Sequence, residues 1–165
     1  MCKHSVRWVF KLETSYRWSS GYPIAEDLVF RDKTGVVRLI IERDSTITVT
    51  AGYAWDGCTP KVCIFDILIG MPDGVVYAGT GRPKAYFASL VHDALYQFLP
   101  DGLPLARRHA DAFFLRLLAE SEFAPRWLYW AAVRLFGGFF RHVTRVKRRT
   151  RGTAQPIAEL LATPG

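Results

Sequence analysis

Residues 85 to 98 read Ala85-Tyr86-Phe87-Ala88-Ser89-Leu90-Val91-His92-Asp93-Ala94-Leu95-Tyr96-Gln97-Phe98. From Phe87 onward, apolar side chains recur at i, i+3, i+4, i+7, i+8 and i+11, which is the spacing of one face of an α-helix. The opposite face carries the polar members of the stretch, Ser89, His92, Asp93 and Tyr96. The stretch therefore predicts a helix with an apolar stripe for the core and a stripe of groups capable of chemistry.

Two more helices are expected after this one, so that the three cover about 83–98, 104–122 and 125–147. Each begins near a proline, at Pro83, Pro104 and Pro125. Proline is tolerated in the first helical turn because the N–H that it lacks would have no partner inside the helix.

The first 55 residues favour β-structure, because short runs rich in Val, Ile, Thr and aromatic residues alternate with turn signals. Strands are expected at 6–12, 27–31, 36–42 and 46–50. Asp32-Lys33-Thr34-Gly35 joins the second and third as a hairpin, with Gly35 placed for a left-handed turn residue. Strands followed by helices predict an α+β fold, a small N-terminal antiparallel β-sheet followed by three helices.

The chain has 165 residues, half of them hydrophobic, and is long enough for one domain with a substantial core. We predict a single α+β domain over residues 1–151, made of a β-rich part (1–55), a loop punctuated by Gly and Pro (56–83) and a helical part (84–147). Residues 152–165 are expected to form a flexible C-terminal tail.

The net charge of +7 is unevenly distributed. Residues 1–125 carry 14 Lys/Arg and 14 Asp/Glu, whereas residues 126–165 carry 8 Lys/Arg and a single acidic residue, Glu159. The densest segment, Arg141 to Arg151, is a candidate to contact nucleic-acid phosphates, an anionic membrane surface or an acidic partner protein. A solvated helix end explains the same segment, since cations there complement the helix dipole.

The cysteines, Cys2, Cys58 and Cys63, are odd in number and lack metal-type spacing, so neither a disulfide framework nor a cysteine metal site is expected.

We find no secretory signal and no uninterrupted apolar run of the roughly 20 residues needed to cross a bilayer. A reduced cytoplasmic protein without a transmembrane segment is expected. The most apolar segment, 127–140, could lie on a membrane, although Arg134 and the Gly137-Gly138 pair suit an internal packing helix at least as well.

Four groups lie in apolar or tightly turned surroundings: Asp56, His92, Asp93 and Asp111. Asp111 lies at the margin of the apolar face of the second helix, where an unpaired buried carboxylate would be costly. Packing of the first two helices would bring Asp111 close to His92 and Asp93, and the loop that carries Asp56 could close over them. One interpretation is a catalytic set of all four, in which His92, Asp93 and Asp111 bind a divalent metal or poise a water for hydrolysis.

The other interpretation is structural. Asp93 or Asp111 would cap the turn from Trp55 to Pro60 or pair with an arginine such as Arg107 or Arg108, and His92 would lock the arrangement. A thiol mechanism, with Cys58 as nucleophile and His92 as base, is less favoured because cysteine is commonly buried and its neighbours in sequence do not promise a lowered pKa.

Three motifs occur in order: Asp56-Gly57-Cys58-Thr59-Pro60, Ala88-Ser89-Leu90-Val91-His92-Asp93-Ala94-Leu95-Tyr96 and Ala110-Asp111-Ala112-Phe113-Phe114. The chain resembles a small family of unknown function encoded by tailed bacteriophages and prophages, whose pattern is an Asp-Gly-x-Ser/Thr turn, a His-Asp-x-Leu-Tyr helix and a later Ala-Asp-x-x-Phe helix. The resemblance spans roughly residues 53–138, and residues 128–134 resemble the final helix of the family. It implies a phage or prophage origin and a shared set at Asp56, His92, Asp93 and Asp111, but no activity. The chain departs from compact members in its Cys58-Thr59 turn and in a longer segment over 62–82.

Two functions are expected from these observations. The first is a phage or prophage accessory protein that acts as a metal-assisted hydrolase at the His/Asp site. The alternative is a non-catalytic phage interaction or virion-associated protein, which binds a phage or host protein through its basic, aromatic C-terminal helix. The expected location is the host cytoplasm, with virion association in the alternative case.

Overall fold

The structure, a computed structural model, describes residues 10–58, 61–64, 67–70, 73–145 and 154–156. Its strands are β1 (Phe10–Lys11), β2 (Tyr16–Ser19), β3 (Leu28–Arg31), β4 (Val37–Ile41), β5 (Thr46–Val49), β6 (Ala54–Trp55), β7 (Lys61–Ile64), β8 (Ile67–Gly70), β9 (Val76–Tyr77), β10 (Arg82–Pro83) and β11 (Ala154–Pro156). Its α-helices are α1 (Tyr86–Phe98), α2 (Arg107–Glu120) and α3 (Arg126–Arg145). The predicted α+β fold, an N-terminal antiparallel sheet followed by three helices, is confirmed.

The main sheet has five strands in the order β11-β3-β4-β5-β2. All four neighbouring pairs are antiparallel, and β3, β4 and β5 follow one another along the chain as hairpins. A smaller antiparallel pair, β1 with β6, places Phe10 opposite Trp55. Each strand is short, so packing against the helices must supply much of its stability.

The predicted hairpin between β3 and β4 is confirmed, and its turn is stabilised by Asp32. Gly35 has a φ of +83°, a left-handed conformation that glycine adopts without strain. The Asp32 carboxylate accepts hydrogen bonds from the Thr34 amide at 2.8 Å and from Arg38 Nε at 2.7 Å. Burial alone would raise the pKa of Asp32, but hydrogen bonds from Thr34 and Arg38 outweigh it and lower the pKa to about 2.

Residues 56–83 were predicted to form a loop with a short helix or strand, and the structure has more regular structure there than expected. Two antiparallel hairpins lie there, β7 with β8 and β9 with β10. In the first hairpin, Val62 pairs with Ile69 and Ile64 with Ile67. The chain folds back on itself because an apolar segment still needs hydrogen-bond partners for its backbone.

The predicted flexible tail is wrong for residues 154–156, which form β11 and pair with β3. Pro156 is tolerated because β11 is an edge strand, where the N–H that proline lacks is not required by a further strand. Of the strand predicted over 6–12, residues 10–11 form β1 and residues 6–9 lie outside the described residues.

The core lies between the sheet and α1. The sheet contributes fully buried apolar side chains, Phe30, Leu39, Ile41, Ile47 and Val49, and α1 contributes Leu90, Val91, Ala94, Leu95 and Phe98. Phe30 and Phe98 have ring centroids 5.4 Å apart, which joins the two layers. The apolar stripe predicted for this helix is therefore the side that faces the core.

The opposite side of α1 is also buried. Ser89 and His92, which the sequence placed on a polar stripe, are both shielded from solvent. Trp55 Nε1 donates a hydrogen bond to Ser89 Oγ at 3.1 Å, while α2 packs along the same helix. Helix α1 is thus internal on both sides, and its polar groups need partners within the protein.

Truncation of a leucine to alanine should cost more stability at a buried position of the helices than at an exposed one. Leu118 on α2 is fully buried, whereas Leu128 on α3 is largely exposed. We expect Leu118→Ala to lower the free energy of unfolding by about 2–5 kcal/mol, because it leaves a cavity. Leu128→Ala should change it by less than about 0.5 kcal/mol. Urea unfolding followed by circular dichroism measures both, and equal losses would contradict the exposure of Leu128.

Candidate functional site

Asp111 on α2 is fully buried and lies at the centre of a network between the three helices. Its Oδ1 accepts a hydrogen bond from Tyr96 Oη at 2.5 Å and lies 3.1 Å from His92 Nε2. Its Oδ2 accepts a hydrogen bond from Arg134 Nη1 at 3.3 Å and lies 3.7 Å from Arg107 Nε. Both carboxylate oxygens are therefore engaged by groups from α1, α2 and α3.

Helical spacing brings these partners together. His92 and Tyr96 are four residues apart on α1, and Arg107 and Asp111 are four residues apart on α2, so each pair shares a helix face. The His92 and Tyr96 rings have centroids 4.1 Å apart. Arg134 lies on α3, and the residue spacing within α1 and α2 does not predict its contact with Asp111.

Arg107 ties α2 to both other helices. Its Nε donates a hydrogen bond to Tyr96 Oη at 2.7 Å. Its Nη2 donates to the backbone carbonyls of Val133 at 2.7 Å and Arg134 at 2.8 Å. One guanidinium group thus contacts the α1 side chain beside Asp111 and the backbone of α3, a use of several donors that suits arginine better than lysine.

The electrostatics of the network favour an ionised Asp111. Burial alone would raise the pKa of Asp111, but hydrogen bonds from His92 and Tyr96 and the charges of His92 and Arg107 lower it. Burial would lower the pKa of His92, but its hydrogen bonds to Asp111 and Asp93 raise it. Burial and then Asp111 raise the pKa of Tyr96, so its hydroxyl stays a donor.

Asp93 lies on the other side of the His92 ring. Its Oδ1 is 4.0 Å from His92 Nδ1, whereas Asp111 Oδ1 faces Nε2. One cation cannot bind both carboxylates together with this imidazole, because the ring stands between them, and Asp111 already neighbours two guanidinium groups. The described residues contain no group of three His, Cys, Asp or Glu side chains able to hold a metal. The predicted metal set of His92, Asp93 and Asp111 does not fit this geometry.

Asp56 follows β6 and is half-buried. The hydrogen bond from Trp55 to Ser89 places β6 beside α1, one helical turn before His92. Within the part of the chain that the structure describes, however, Asp56 is not a hydrogen-bond partner of His92 or Asp111. The structure therefore brings His92, Asp93 and Asp111 together, and Asp56 is not among the described hydrogen-bond partners of His92 or Asp111.

Cys58 belongs to a different cluster. The thiol-bearing residue is buried, and its amide donates a hydrogen bond to Asp73 Oδ1 at 2.6 Å. Gly57 has a φ of +77°, and a Cβ added there would lie 2.3 Å from Asp73 Oδ1. The pKa of Tyr129 is raised by burial and by the nearby Cys58 and Asp73. Cys58 is not among the described contacts of His92, so the predicted thiol pair is not formed among these residues.

The structural interpretation named Arg107 as a partner of Asp111, and the structure places it there. Arg134 was not predicted as a partner, although a lone arginine within the apolar run 127–140 was a signal that it could have one. The basic segment Arg141 to Arg151 lies only partly within the described residues: its first five residues end α3, and 146–151 lie outside them.

Helix α3 has a second feature, an exposed apolar side. Tyr129 and Val133 are buried against the rest of the protein, whereas Trp127, Leu128 and Leu135 are 60%, 67% and 75% exposed. We call these three residues the outer face of α3. Among the described residues, no helix combines the length and the apolar character that crossing a membrane would require.

Comparison with protein-family models, with curated proteins and with solved structures finds no match to this chain. The function must therefore be argued from the residues of the Asp111 network and from the outer face of α3. The resemblance to tailed-phage proteins stays a prediction.

Removal of the Asp111 charge should destabilise the protein strongly. Asp111→Asn leaves two arginines facing an uncharged buried amide, and we expect a loss of about 3 kcal/mol in the free energy of unfolding. Glu42→Gln is the control, because Glu42 pairs with Arg17 at the surface and its loss should cost less than about 1 kcal/mol. Similar losses in both variants, measured by urea unfolding, would refute the central role of Asp111.

The stability of the protein should also depend on the protonation of His92. Its folded-state pKa is raised above the ordinary 6.5, so its contribution is complete below pH 6.5 and is lost as the pH rises through the folded-state value. For Asp111, whose pKa is lowered below 3.8, the contribution is present above that value and lost as the pH falls through the folded-state pKa.

We expect the melting temperature to fall as the pH rises above 6.5 and through the raised folded-state pKa of His92. The same titration of His92→Gln should lack this step. Identical profiles for the two proteins would show that another group is responsible.

Proposed function

We propose that this is a binding protein rather than an enzyme: a non-catalytic accessory protein of a tailed phage or prophage whose working surface is the outer face of α3. The observation that carries the proposal is the exposure of Trp127, Leu128 and Leu135 on a helix whose other side is packed. Exposed apolar groups that cluster, rather than occur singly, are typical of interaction sites.

The distribution of exposed apolar residues supports the proposal. Among the described residues, seven large hydrophobic side chains are exposed: Val36, Val75, Val76, Tyr77, Trp127, Leu128 and Leu135. All but Val36 belong to two short segments, 75–77 and 127–135. Phe123 packs against Gly74, next to the first segment, and its ring centroid lies 4.7 Å from that of Tyr129 in the second. The exposed apolar side chains are thus concentrated in two segments that share Phe123 as a neighbour.

The Asp111 network supports a structural role for the predicted catalytic residues. The buried carboxylate has both oxygens engaged by His92, Tyr96 and two arginines. Arg107 and Arg134 use that anion and the α3 carbonyls to fix α3 on the other two helices. In this proposal the network positions α3 so that its outer face meets a partner.

The phage or prophage origin rests on the resemblance of three ordered motifs. Two of them supply His92, Tyr96 and Asp111, which meet in one network. The segment that resembles the final helix of that family, residues 128–134, lies within α3. On the basis of this resemblance, we propose that the protein acts in the infected host cell or on the virion.

A second candidate is a hydrolase that uses His92 as a general base. The pairing of a buried carboxylate with His92 Nε2 favours it, since such a carboxylate can orient an imidazole and stabilise its charged form. A metal-assisted version would require a cation beside the guanidinium groups of Arg107 and Arg134, which oppose it electrostatically.

The two candidates predict opposite results in the encoding phage or prophage. We expect the double variant Leu128→Glu/Leu135→Glu to reduce phage yield at least about tenfold while the fold survives, because it places charge on an interface. His92→Gln should keep near-normal yield at temperatures at which it is folded. Val36→Glu is the matched control, since Val36 is exposed but lies on the β3–β4 hairpin.

Circular dichroism of each purified variant shows whether the fold is intact. A normal yield for the α3 double variant, with a lost yield for folded His92→Gln, would support the hydrolase and overturn the binding proposal.

A further inference from the structure

We infer that the outer face of α3 binds an anionic lipid bilayer surface, with the helix lying in the plane of the membrane. This inference rests on the proposed function, in which the outer face is the working surface, and it names the partner. It follows from the charge of α3, from the kind of side chains it exposes and from the packing of its other side.

The charge of α3 is entirely positive. The range 126–145 contains four arginines, Arg126, Arg134, Arg141 and Arg145, and the chain has no acidic residue between Glu122 and Glu159. Arg134 keeps 44% of its side chain exposed although it also binds Asp111. A helix of this composition complements the negative potential of anionic headgroups, to which each nearby cation adds about 1 kcal/mol of attraction.

The exposed side chains suit the boundary between headgroups and acyl chains. Trp127 offers an amphipathic ring, Leu128 is the next residue along the helix, and Leu135 lies about two turns further on. A basic helix that exposes Trp and Leu side chains is typical of helices that lie on membranes. With 20 residues, α3 would extend about 30 Å along such a surface.

The packing of α3 fixes which side can reach the membrane. Tyr129 and Val133 are buried, and Arg107 bonds to the carbonyls of Val133 and Arg134. The helix therefore cannot turn its outer face inward without breaking these contacts.

Other occupants fit less well. A second copy of the chain would bring two sets of arginines together, and like charges oppose such an interface. Nucleic-acid phosphates would satisfy the arginines but leave the exposed leucines without an apolar partner. An acidic protein surface remains the competing occupant, and the experiment below distinguishes it.

The test is flotation of the full-length chain with vesicles. One set contains phosphatidylglycerol and phosphatidylethanolamine, and the other contains phosphatidylcholine alone. We expect the wild-type protein to float with the anionic vesicles, with a blue shift of its tryptophan emission, and to bind the neutral vesicles at least about tenfold more weakly. Leu128→Glu/Leu135→Glu should bind the anionic vesicles at least about tenfold more weakly than wild type, and Val36→Glu should match wild type.

Absence of flotation with anionic vesicles would overturn the lipid assignment, as would equal binding to both kinds of vesicle or equal binding by the double variant. The phage-yield experiment separates this failure from failure of the proposed function. If flotation fails while the double variant still loses phage yield, the outer face works on a protein partner. If flotation fails and the double variant is also fully active in the phage, the outer face is not the working surface.

Discussion

The helical half of this protein depends on a single buried negative charge. The Asp111 carboxylate is removed from water, and such a group is tolerated only when it is paired and hydrogen-bonded. Its partners come from three helices, and they include an imidazole, a phenol and two guanidinium groups. The relative positions of α1, α2 and α3 are therefore constrained together, because moving any one of them would remove a partner from the same charge.

Residues typical of an active site meet at Asp111, but the Asp93 and Asp111 carboxylates face different nitrogens of the His92 ring. Catalytic sites and buried ion-pair networks draw on the same residue types, since both require shifted pKa values in a shielded environment. A metal site differs from a buried ion-pair network in having ligand atoms that are not already engaged by other protein groups. At Asp111 both oxygens are engaged, and at His92 the two ring nitrogens face different carboxylates. What the residues form together is a connection between helices.

The network also determines what α3 presents to solvent. Arg107 donates to the carbonyls of Val133 and Arg134. One side of α3 is committed to these contacts, and the side with Trp127, Leu128 and Leu135 is left exposed. The proposed binding surface is thus a consequence of the buried charge.

The sequence by itself determined the α+β class, the hairpin at Asp32 to Gly35, the three helices to within a few residues and the need of Asp111 for a partner. These features depend on local periodicity, turn chemistry and the cost of burying a charge, all of which act over a few residues. Arg107 could be named for the same reason, because it lies one helical turn from Asp111.

Only the tertiary structure decided the rest. The contact of Arg134 with Asp111 joins residues 23 positions apart on different helices, and no local pattern specifies it. The pairing of β11 with β3 joins residues 154–156 to residues 28–30, which are far apart in the sequence. Both sides of α3 are apolar, so periodicity could not tell which would be buried. Tertiary packing determines which side is buried, and it is the side that carries Tyr129 and Val133.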